Sequence, residues 1–314
     1  MAETPISLKS ADGTPASRLC FGTMQFGGSA DVRASQEMFE DCRAAGLSFF
    51  DTAHLYTDGK SEEILGELVQ RERESLMIAT KVAYTGGSTR DTIFNQFSTS
   101  QKRLGVDMVD ILYLHRWDAG TPLGETFEAL AELQAAGKIR HIGVSNFAAW
   151  QVMKAQAVAA SLGTRIDILQ PMYSLVKRQV EVEILPMALS EGMAVSPYSP
   201  LGGGLLTGKY AAGGEGRLTT DARYRARYGQ VWMHEAARAL AEQASEMGLN
   251  PTTLAVAWAA AHPAITAPII SARSAGQLAP SLAAIGLKVE PAVYDAVSAL
   301  SPTPPPATDR LEEG

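Results

Sequence analysis

Cysteine and histidine are scarce in this chain, which has two cysteines and five histidines among 314 residues. Cys20 and Cys42 form no CxxC pair and no Cys/His spacing typical of a zinc site. The histidines likewise show no HxH or HxxxH spacing. These absences argue against a disulfide framework, a bound metal, and a metal-dependent barrel hydrolase or isomerase, and we expect a protein of the reducing cytoplasm.

Positive charge and long apolar runs are also lacking. Lysine and arginine total 27 against 34 acidic residues, and this net charge of −7 disfavours binding to nucleic acid or to an anionic membrane. The one arginine cluster, which comprises Arg217, Arg223, Arg225 and Arg227, is interpreted as a solvated loop. No stretch approaches the roughly 18 apolar residues of a membrane span, and the first ten residues do not resemble a signal peptide.

The composition instead indicates a globular protein with a large core. Hydrophobic residues make up 46% of the chain and charged residues 19%, and the mean hydropathy is −0.02. The length allows one α/β barrel or two lobes. We expect one domain over residues 1–314, in which the segment Ser301–Gly314, with four prolines, is an irregular tail.

Short apolar runs alternate with amphipathic stretches, which is typical of βα units and predicts a (β/α)₈ TIM barrel. Asp12-Gly13 predicts an N-terminal β-hairpin that closes one end of the barrel. The segment Tyr210–Trp232 lacks clear periodicity and predicts a long loop after strand 7. The eight predicted strands are Leu19–Met24, Leu47–Ala53, Leu76–Val82, Met108–His115, Ile139–Ser145, Ile166–Met172, Met193–Tyr198 and Ile265–Ser271.

The predicted helices lie between and after these strands. Several have clear ends, such as Asn250-Pro251, an N-cap followed by proline at the first helical position. The predicted helices are Ser35–Ala45, Ser61–Arg71, Thr89–Leu104, Thr126–Ala136, Ala148–Ser161, Val182–Glu191, Met233–Met247 and Pro251–Ala261.

Four chemically active side chains lie at or just after the ends of predicted strands 2, 3 and 4. Asp51 is near the end of the second strand and Tyr56 follows it, Lys81 ends the third and His115 ends the fourth. The C-terminal ends of barrel strands are where barrel enzymes carry their chemistry. Each residue alone also fits a structural role, since a strand-end Asp–Lys pair is often only a salt bridge. Their convergence on one rim favours a catalytic site.

In these segments and in several others the chain resembles the aldo-keto reductase family, over about residues 5–300. The segments that carry the resemblance are Asp51-Thr52-Ala53-His54-Leu55-Tyr56, 61–66 (SEEILG), 114–118 (LHRWD), 137–147 (GKIRHIGVSNF), 170–174 (QPMYS) and 198–209 (YSPLGGGLLTGK). Lys81, which lies between the second and third of these segments, is part of the same pattern. The resemblance implies a (β/α)₈ barrel that binds a nicotinamide cofactor, NADPH in preference to NADH, across its C-terminal mouth.

The resemblance also implies roles for the four strand-end residues. Tyr56 is the general acid that donates a proton to a substrate carbonyl during hydride transfer. Lys81, held by Asp51, lowers the pKa of Tyr56 from its ordinary value near ~10. His115 hydrogen-bonds the carbonyl and stabilises the developing oxyanion.

The expected cofactor residues divide into three groups by the part of the cofactor they meet. Arg273 is expected at the 2′-phosphate, although Ser271 and Ser281 replace the glycine and asparagine of many relatives. Residues Gly203–Lys209 read GxxxxGK, but Tyr210 follows where a phosphate-binding P-loop has Ser or Thr, so we expect a strap over the pyrophosphate. The groups are Ser145, Asn146, Gln170 and a stacking Tyr173 at the nicotinamide, Ser199, Leu201, Gly203 and Lys209 at the pyrophosphate, and Ser271, Arg273 and Gln277 at the adenosine.

The sequence says least about which residues surround the substrate. Candidate residues are Met24, Tyr84, Arg116, Trp117 and Trp232, with the arginines of the segment Tyr210–Trp232 as further polar contacts. This mixed apolar and polar set suits a sugar-derived aldehyde. Reduction of an aldehyde or ketone to an alcohol is the expected activity. An alternative is an NADPH-binding regulatory or sensor subunit with little turnover, and homo-oligomerisation is left open.

Overall fold

Eight parallel strands form the inner layer of the protein in a computed structural model that describes residues 6–210, 213–310 and 312. Each strand is hydrogen-bonded to its neighbour in the order β7-β6-β5-β4-β3-β2-β1-β8. The strands are β1 (Cys20–Gly22), β2 (Phe49–Asp51), β3 (Met77–Val82), β4 (Val109–Leu114), β5 (Ile139–Ser145), β6 (Ile168–Gln170), β7 (Ala194–Val195) and β8 (Ile269–Ile270).

The two outer strands of this order meet and close the barrel. The amide of Thr266 donates to the carbonyl of Val195 at 2.8 Å, and the amide of Ile269 donates to that of Pro197 at 2.8 Å. β7 and β8 are shorter than predicted because Pro197 and Pro268 have no N–H to donate to a ladder. The predicted (β/α)₈ barrel is confirmed.

Helices follow the strands around the barrel. All eight predicted helices are present, Pro251–Ala261 with the predicted bounds and the other seven with shifted ends, and α11 and α12 after β8 were not predicted. The helices of the described ranges are α1 (Val32–Ala44), α2 (Lys60–Val69), α3 (Arg90–Leu104), α4 (Leu123–Ala135), α5 (Ala149–Ser161), α6 (Ile184–Ser190), α7 (Arg217–Thr220), α8 (Ala222–Tyr228), α9 (Val231–Glu246), α10 (Pro251–Ala261), α11 (Ala275–Leu282) and α12 (Pro291–Ser298). None of them combines the length and apolar character that crossing a bilayer requires.

Two predicted connections are also present. The N-terminal hairpin turns at Gly13, pairs Lys9 with Pro15 in an antiparallel bridge, and buries Leu8 against the barrel interior. The long segment after β7 is not the structureless loop that its lack of periodicity indicated, because it contains α7 and α8. These helices have four and seven residues, too few to show a helical repeat.

Alternation along the strands decides which side chains enter the barrel. Phe49, Met77, Ile111 and Ile168 form part of the interior cluster. Successive residues of a strand point to opposite faces, so inward positions recur every second residue. In steps of two residues from these four positions, the inward-facing side chains at the C-terminal ends of the strands are Asp51, Lys81, His115 and Gln170.

At Gly66, α2 packs closely against the end of α3. A Cβ added there would lie 2.6 Å from the carbonyl oxygen of Leu104 and 2.7 Å from that of Arg103, whereas one added at Gly124 in α4 would meet nothing within 4 Å. We predict that Gly66→Ala lowers the free energy of unfolding by about 2 kcal/mol. Gly124→Ala should raise it by about 0.5 kcal/mol through helix propensity. Urea unfolding of both variants tests this, and equal effects would contradict it.

Candidate functional site

An open cavity of about 990 Å³ lies over the C-terminal ends of the strands. It extends from Tyr56 and His115 to Arg273 beside α11. Most of the predicted site residues line it: Met24, Asp51, Tyr56, Tyr84, His115, Arg116, Ser145, Asn146, Gln170, Ser199, Leu201, Gly203, Lys209, Ser271, Arg273 and Gln277.

Lys81 lies beneath this cavity with its side chain fully buried. Its ammonium donates to the Asp51 carboxylate, to the carbonyl of Thr52 at 2.7 Å and to the Tyr56 hydroxyl at 3.3 Å. The other carboxylate oxygen of Asp51 accepts from the side-chain amide of Gln170 at 2.9 Å. All three protons of the ammonium therefore have acceptors, one of which is the Tyr56 hydroxyl.

Burial and the ion pair act in opposite directions on these groups. Burial alone would lower the pKa of Lys81, but Asp51 and Tyr56 raise it above its ordinary value. Burial raises the pKa of Asp51, against the effect of Lys81. Burial also raises the pKa of Tyr56, and Lys81 lowers it by less. Lys81 thus acts on Tyr56 in the expected direction, but the phenol stays protonated at neutral pH.

The ring of His115 packs against the rings of two tyrosines in the cavity wall. Its ring meets that of Tyr56 edge-on at 5.8 Å and that of Tyr84 at 5.0 Å. Burial, with the charges of Lys81 and Arg116, lowers its pKa to about 3. The imidazole is therefore neutral at physiological pH and carries one N–H, which suits a hydrogen-bond donor to a carbonyl oxygen rather than a cationic group.

Ser145, Asn146 and Gln170 meet at the ends of β5 and β6. The Ser145 hydroxyl donates to the Gln170 carbonyl at 2.9 Å, and the Asn146 amide donates to the carbonyl of His115 at 2.9 Å. Tyr198 was missed at this point: its hydroxyl donates to Asn146 Oδ1 at 2.7 Å and its side chain lines the cavity. Its place at the end of the predicted seventh strand, next to Ser199, was the available signal.

Tyr173 does not reach the cavity, so its predicted stacking role is wrong. Its buried ring packs on Trp258 at 5.2 Å, and its hydroxyl donates to Glu181 at 2.8 Å. Gln170 points inward, and a residue three positions later in an extended chain points outward. The side chain of Tyr198, unlike that of Tyr173, lines the cavity.

Trp117 and Trp232 also lie outside the cavity. The Trp117 ring packs against Phe147 at 5.2 Å and Trp150 at 5.7 Å, and Trp232 donates to Gln230 at the start of α9. Neither forms the substrate wall. Leu55 and Tyr224, which were not assigned to the site, line the cavity instead, as does Arg227 of the segment Tyr210–Trp232.

Cations dominate the wall of the cavity. Arg116, Lys209, Arg217, Arg223, Arg227 and Arg273 line it, against the carboxylates of Asp51 and Glu215. The arginine cluster was interpreted as a solvated loop, and Arg223 and Arg227 are indeed exposed, but together with Arg217 they also line the cavity. Arg225 instead donates to the carbonyl of Thr219. A cationic cavity in a protein of net charge −7 indicates an anionic ligand.

The backbone beside Lys209 adds to this character. Gly202, Gly203 and Gly204 have consecutive positive φ angles of 56°, 65° and 97°. Glycine adopts this left-handed conformation without the penalty of a Cβ, and successive residues of this kind can direct amides toward an anion. Within the described ranges, no group of three or more His, Cys, Asp or Glu side chains is arranged to hold a metal ion.

The fold and the site define a (β/α)₈-barrel protein with a buried Lys–Asp pair, a phenol and an imidazole at the floor of a cavity suited to a phosphorylated ligand. The family model described as the Aldo/keto reductase family matches residues 18–302. The chain belongs to the aldo/keto reductase family. This membership supports an oxidoreductase that acts on carbonyl groups with a nicotinamide cofactor.

Relatives with different names are similar over nearly the whole chain. A probable voltage-gated potassium channel subunit beta of Oryza sativa is 32% identical, over 95% of this chain and 96% of its own. An uncharacterized oxidoreductase of Bacillus subtilis, YrpG, is 32% identical over 93% and 94%. Human aflatoxin B1 aldehyde reductase member 2 is 35% identical over 88% of this chain and 84% of its own.

The low pKa of His115 predicts an acid-sensitive fold. The unfolded imidazole takes up a proton below about pH 6.5, whereas the folded one does so only near pH 3. Stability from this residue is thus fully present above pH 6.5 and is lost as pH falls toward 3. Between pH 7.5 and 4.5 the loss is about 2 to 3 kcal/mol.

His115→Gln should remove this part of the pH dependence. Urea unfolding at pH 7.5 and 4.5 measures it, with His234→Gln on the exposed side of α9 as the matched control. The control should lose as much stability as the wild type, and the His115 variant less. An equal loss in all three proteins would show that His115 does not resist protonation in the fold.

Proposed function

We propose that the protein reduces an aldehyde or ketone to an alcohol with NADPH, and that Tyr56 is the general acid. The observation that carries this proposal is the contact of the Lys81 ammonium with both Asp51 and the Tyr56 hydroxyl. This arrangement holds a protonated phenol next to a neutral imidazole at the floor of the cation-lined cavity.

The cavity fits a nicotinamide dinucleotide. Ser145, Asn146 and Gln170 provide hydroxyl and amide groups for a carboxamide, and Tyr198 provides an aromatic ring in the same wall. Gly203 and Lys209 are suited to a pyrophosphate. Arg273, next to Ser271 and Gln277, is suited to a 2′-phosphate, because its planar donors match phosphate oxygens. When bound, the reduced cofactor supplies the hydride.

The chain's own residues handle the carbonyl oxygen. The imidazole of His115 donates a hydrogen bond to this oxygen and orients it. The hydroxyl of Tyr56 donates its proton to the same oxygen as negative charge develops there. Lys81 stabilises the phenolate that remains, and Asp51 and Gln170 keep Lys81 in position.

A polar aldehyde, such as a sugar-derived one, suits the outer wall. Met24 and Tyr84 provide apolar surface, and the guanidinium of Arg116 stacks on the Tyr84 ring at 4.9 Å. Among the described residues, no carboxylate lies within 4.0 Å of the guanidinium of Arg116 or Arg227, so both are available to hydroxyl or other acceptor groups of a substrate.

A second candidate function is an NADPH-binding regulatory subunit. The similarity over nearly the whole chain to a rice protein named as a potassium channel subunit beta favours it. Both candidates require the same cofactor site, and turnover separates them.

We predict that Tyr56→Phe lowers kcat for aldehyde reduction by about 10²- to 10⁴-fold, the usual contribution of a general acid. Loss of NADPH absorbance is measured with glyceraldehyde, erythrose and benzaldehyde. NADPH binding, followed by quenching of tryptophan fluorescence, should stay within about twofold, because the variant keeps the ring.

The same assay decides between the alternatives. Undiminished turnover in Tyr56→Phe would exclude this residue as the acid. A strong preference for benzaldehyde over the two sugar aldehydes would count against a polar substrate. Tight NADPH binding with no turnover of any aldehyde by the wild type would favour the regulatory subunit.

Arg273→Gln should reverse the cofactor preference. Loss of a charge-assisted contact to phosphate is expected to raise the KM for NADPH by about tenfold or more and leave that for NADH within about twofold. The matched control is Arg33→Gln, because Arg33 is exposed on α1, where it pairs with Glu37. Equal changes for both cofactors would place the 2′-phosphate elsewhere.

A further inference from the structure

The turn that carries Tyr56 has an unusual backbone. Tyr56 is followed by Thr57, Asp58 and Gly59, whose φ angles are 49°, 55° and 95°. Left-handed conformations at two consecutive residues with side chains are unfavourable and persist only where surrounding contacts hold them. The position of the Tyr56 hydroxyl therefore depends on what supports this turn from outside.

Arg103, near the end of α3, supports the turn on both sides of Tyr56. Its Nη1 donates to the carbonyl oxygen of His54 at 2.8 Å. Its guanidinium also lies against Gly59, where an added Cβ would be 2.2 Å from Arg103 Cζ. Residues 54 and 59 flank Tyr56, so one side chain from another helix fixes both ends of the short segment that contains it.

Glu62 connects this support to the strand that carries Lys81. Its carboxylate is fully buried, pairs with Arg103 at 3.2 Å and accepts from the Thr80 hydroxyl at 2.6 Å. Thr80 precedes Lys81 in β3 and points to the opposite face of the strand. The chain of contacts thus runs from the Tyr56 turn through Arg103 and Glu62 to β3.

We infer that Arg103 is a positioning residue for Tyr56, and that it acts with Glu62 to fix the Tyr56 hydroxyl against the Lys81 ammonium. The inference rests on the proposed role of Tyr56 as the acid. The two groups come from different elements and are 3.3 Å apart, so their distance depends on how firmly the turn is fastened to β3. A misplacement of about 1 Å at a reacting group can cost about 10²-fold in rate.

Replacement of Arg103 tests the inference by steady-state kinetics. Arg103→Met should lower kcat about 10- to 100-fold and leave the Kd for NADPH within about twofold. Use of NADPH deuterated at the transferred position should give a larger isotope effect on kcat than in the wild type, because the chemical step becomes slower. A partly unfolded sample would lose active sites, counted by NADPH titration, without a change in isotope effect.

Hydrogen–deuterium exchange gives a readout that does not depend on turnover. The amide of His54 donates to the carbonyl of Lys81 in β3, and the amide of Tyr56 donates to the carbonyl of Ala53. In Arg103→Met the peptide over residues 52–62 should exchange about tenfold faster or more, while the peptide over α5 stays unchanged. Faster exchange throughout the chain would indicate general destabilisation instead.

Two further variants complete the design. Arg90→Met changes the same residue type at the other end of α3, where Arg90 pairs with exposed Glu132, and should behave as the wild type. Arg103→Lys keeps the charge next to Glu62 but loses the planar contact with Gly59, and should recover part of kcat. If Arg103→Met does not fold, Arg103→Lys must show the same changes in smaller degree.

Wild-type kcat and isotope effect in the folded Arg103 variants would overturn the inference. This result differs from failure of the proposed function. If the proposed function failed, Tyr56→Phe would retain turnover, or the wild type would have none. The exchange experiment would still report whether Arg103 holds the turn.

Discussion

The ion pair between Lys81 and Asp51 is the interaction on which the site depends. An ammonium without exposure in a barrel interior is costly unless each of its protons has an acceptor and its charge is balanced. Asp51 on β2 balances the charge, and the Thr52 carbonyl and the Tyr56 hydroxyl accept the remaining protons. Gln170 on β6 donates a hydrogen bond to the other oxygen of the Asp51 carboxylate. Loss of any partner leaves a buried polar group unsatisfied, so the pair constrains strands from opposite parts of the barrel.

Lys81 also acts on the electrostatics of the two groups that we propose meet the substrate, Tyr56 and His115. The positive charge of Lys81 opposes the effect of burial on Tyr56, and it also contributes to the low pKa of His115. One buried cation therefore favours loss of a proton from the phenol and disfavours gain of a proton by the imidazole. In the proposed reaction these two effects suit different roles, proton donation by Tyr56 and hydrogen-bond donation by a neutral His115.

The sequence was sufficient to predict the barrel and the floor of the site, because both depend on short apolar strands with polar residues at their ends. Polar residues at the ends of the predicted strands identify Asp51, Lys81 and His115, and the resemblance adds Gln170, whose inward direction agrees with alternation along β6. The sequence failed for Tyr173, which the resemblance placed at the nicotinamide, because the chain leaves the barrel after Gln170 and the Tyr173 ring packs outward on Trp258. It also failed for Trp117 and Trp232, since an aromatic residue near a strand end packs outward as readily as inward, and their neighbours Trp150 and Gln230 are not readable from spacing.

The part of the cavity wall that α7 and α8 form, here called its roof, has a different physical origin from the floor at the strand ends. Its cations Arg217, Arg223 and Arg227 lie on α7 and α8, helices too short to be stable without their tertiary contacts. Their direction is fixed by packing such as that of Tyr224 and Tyr228 on the glycines after β7, where a Cβ at Gly203 would lie 2.7 Å from the Tyr224 ring. A floor built on hydrogen-bonded strands keeps the reaction chemistry constant, whereas a roof held by side-chain packing can change with few substitutions. The class of reaction is thus encoded in local pattern, and the choice of substrate in tertiary contacts that pattern does not show.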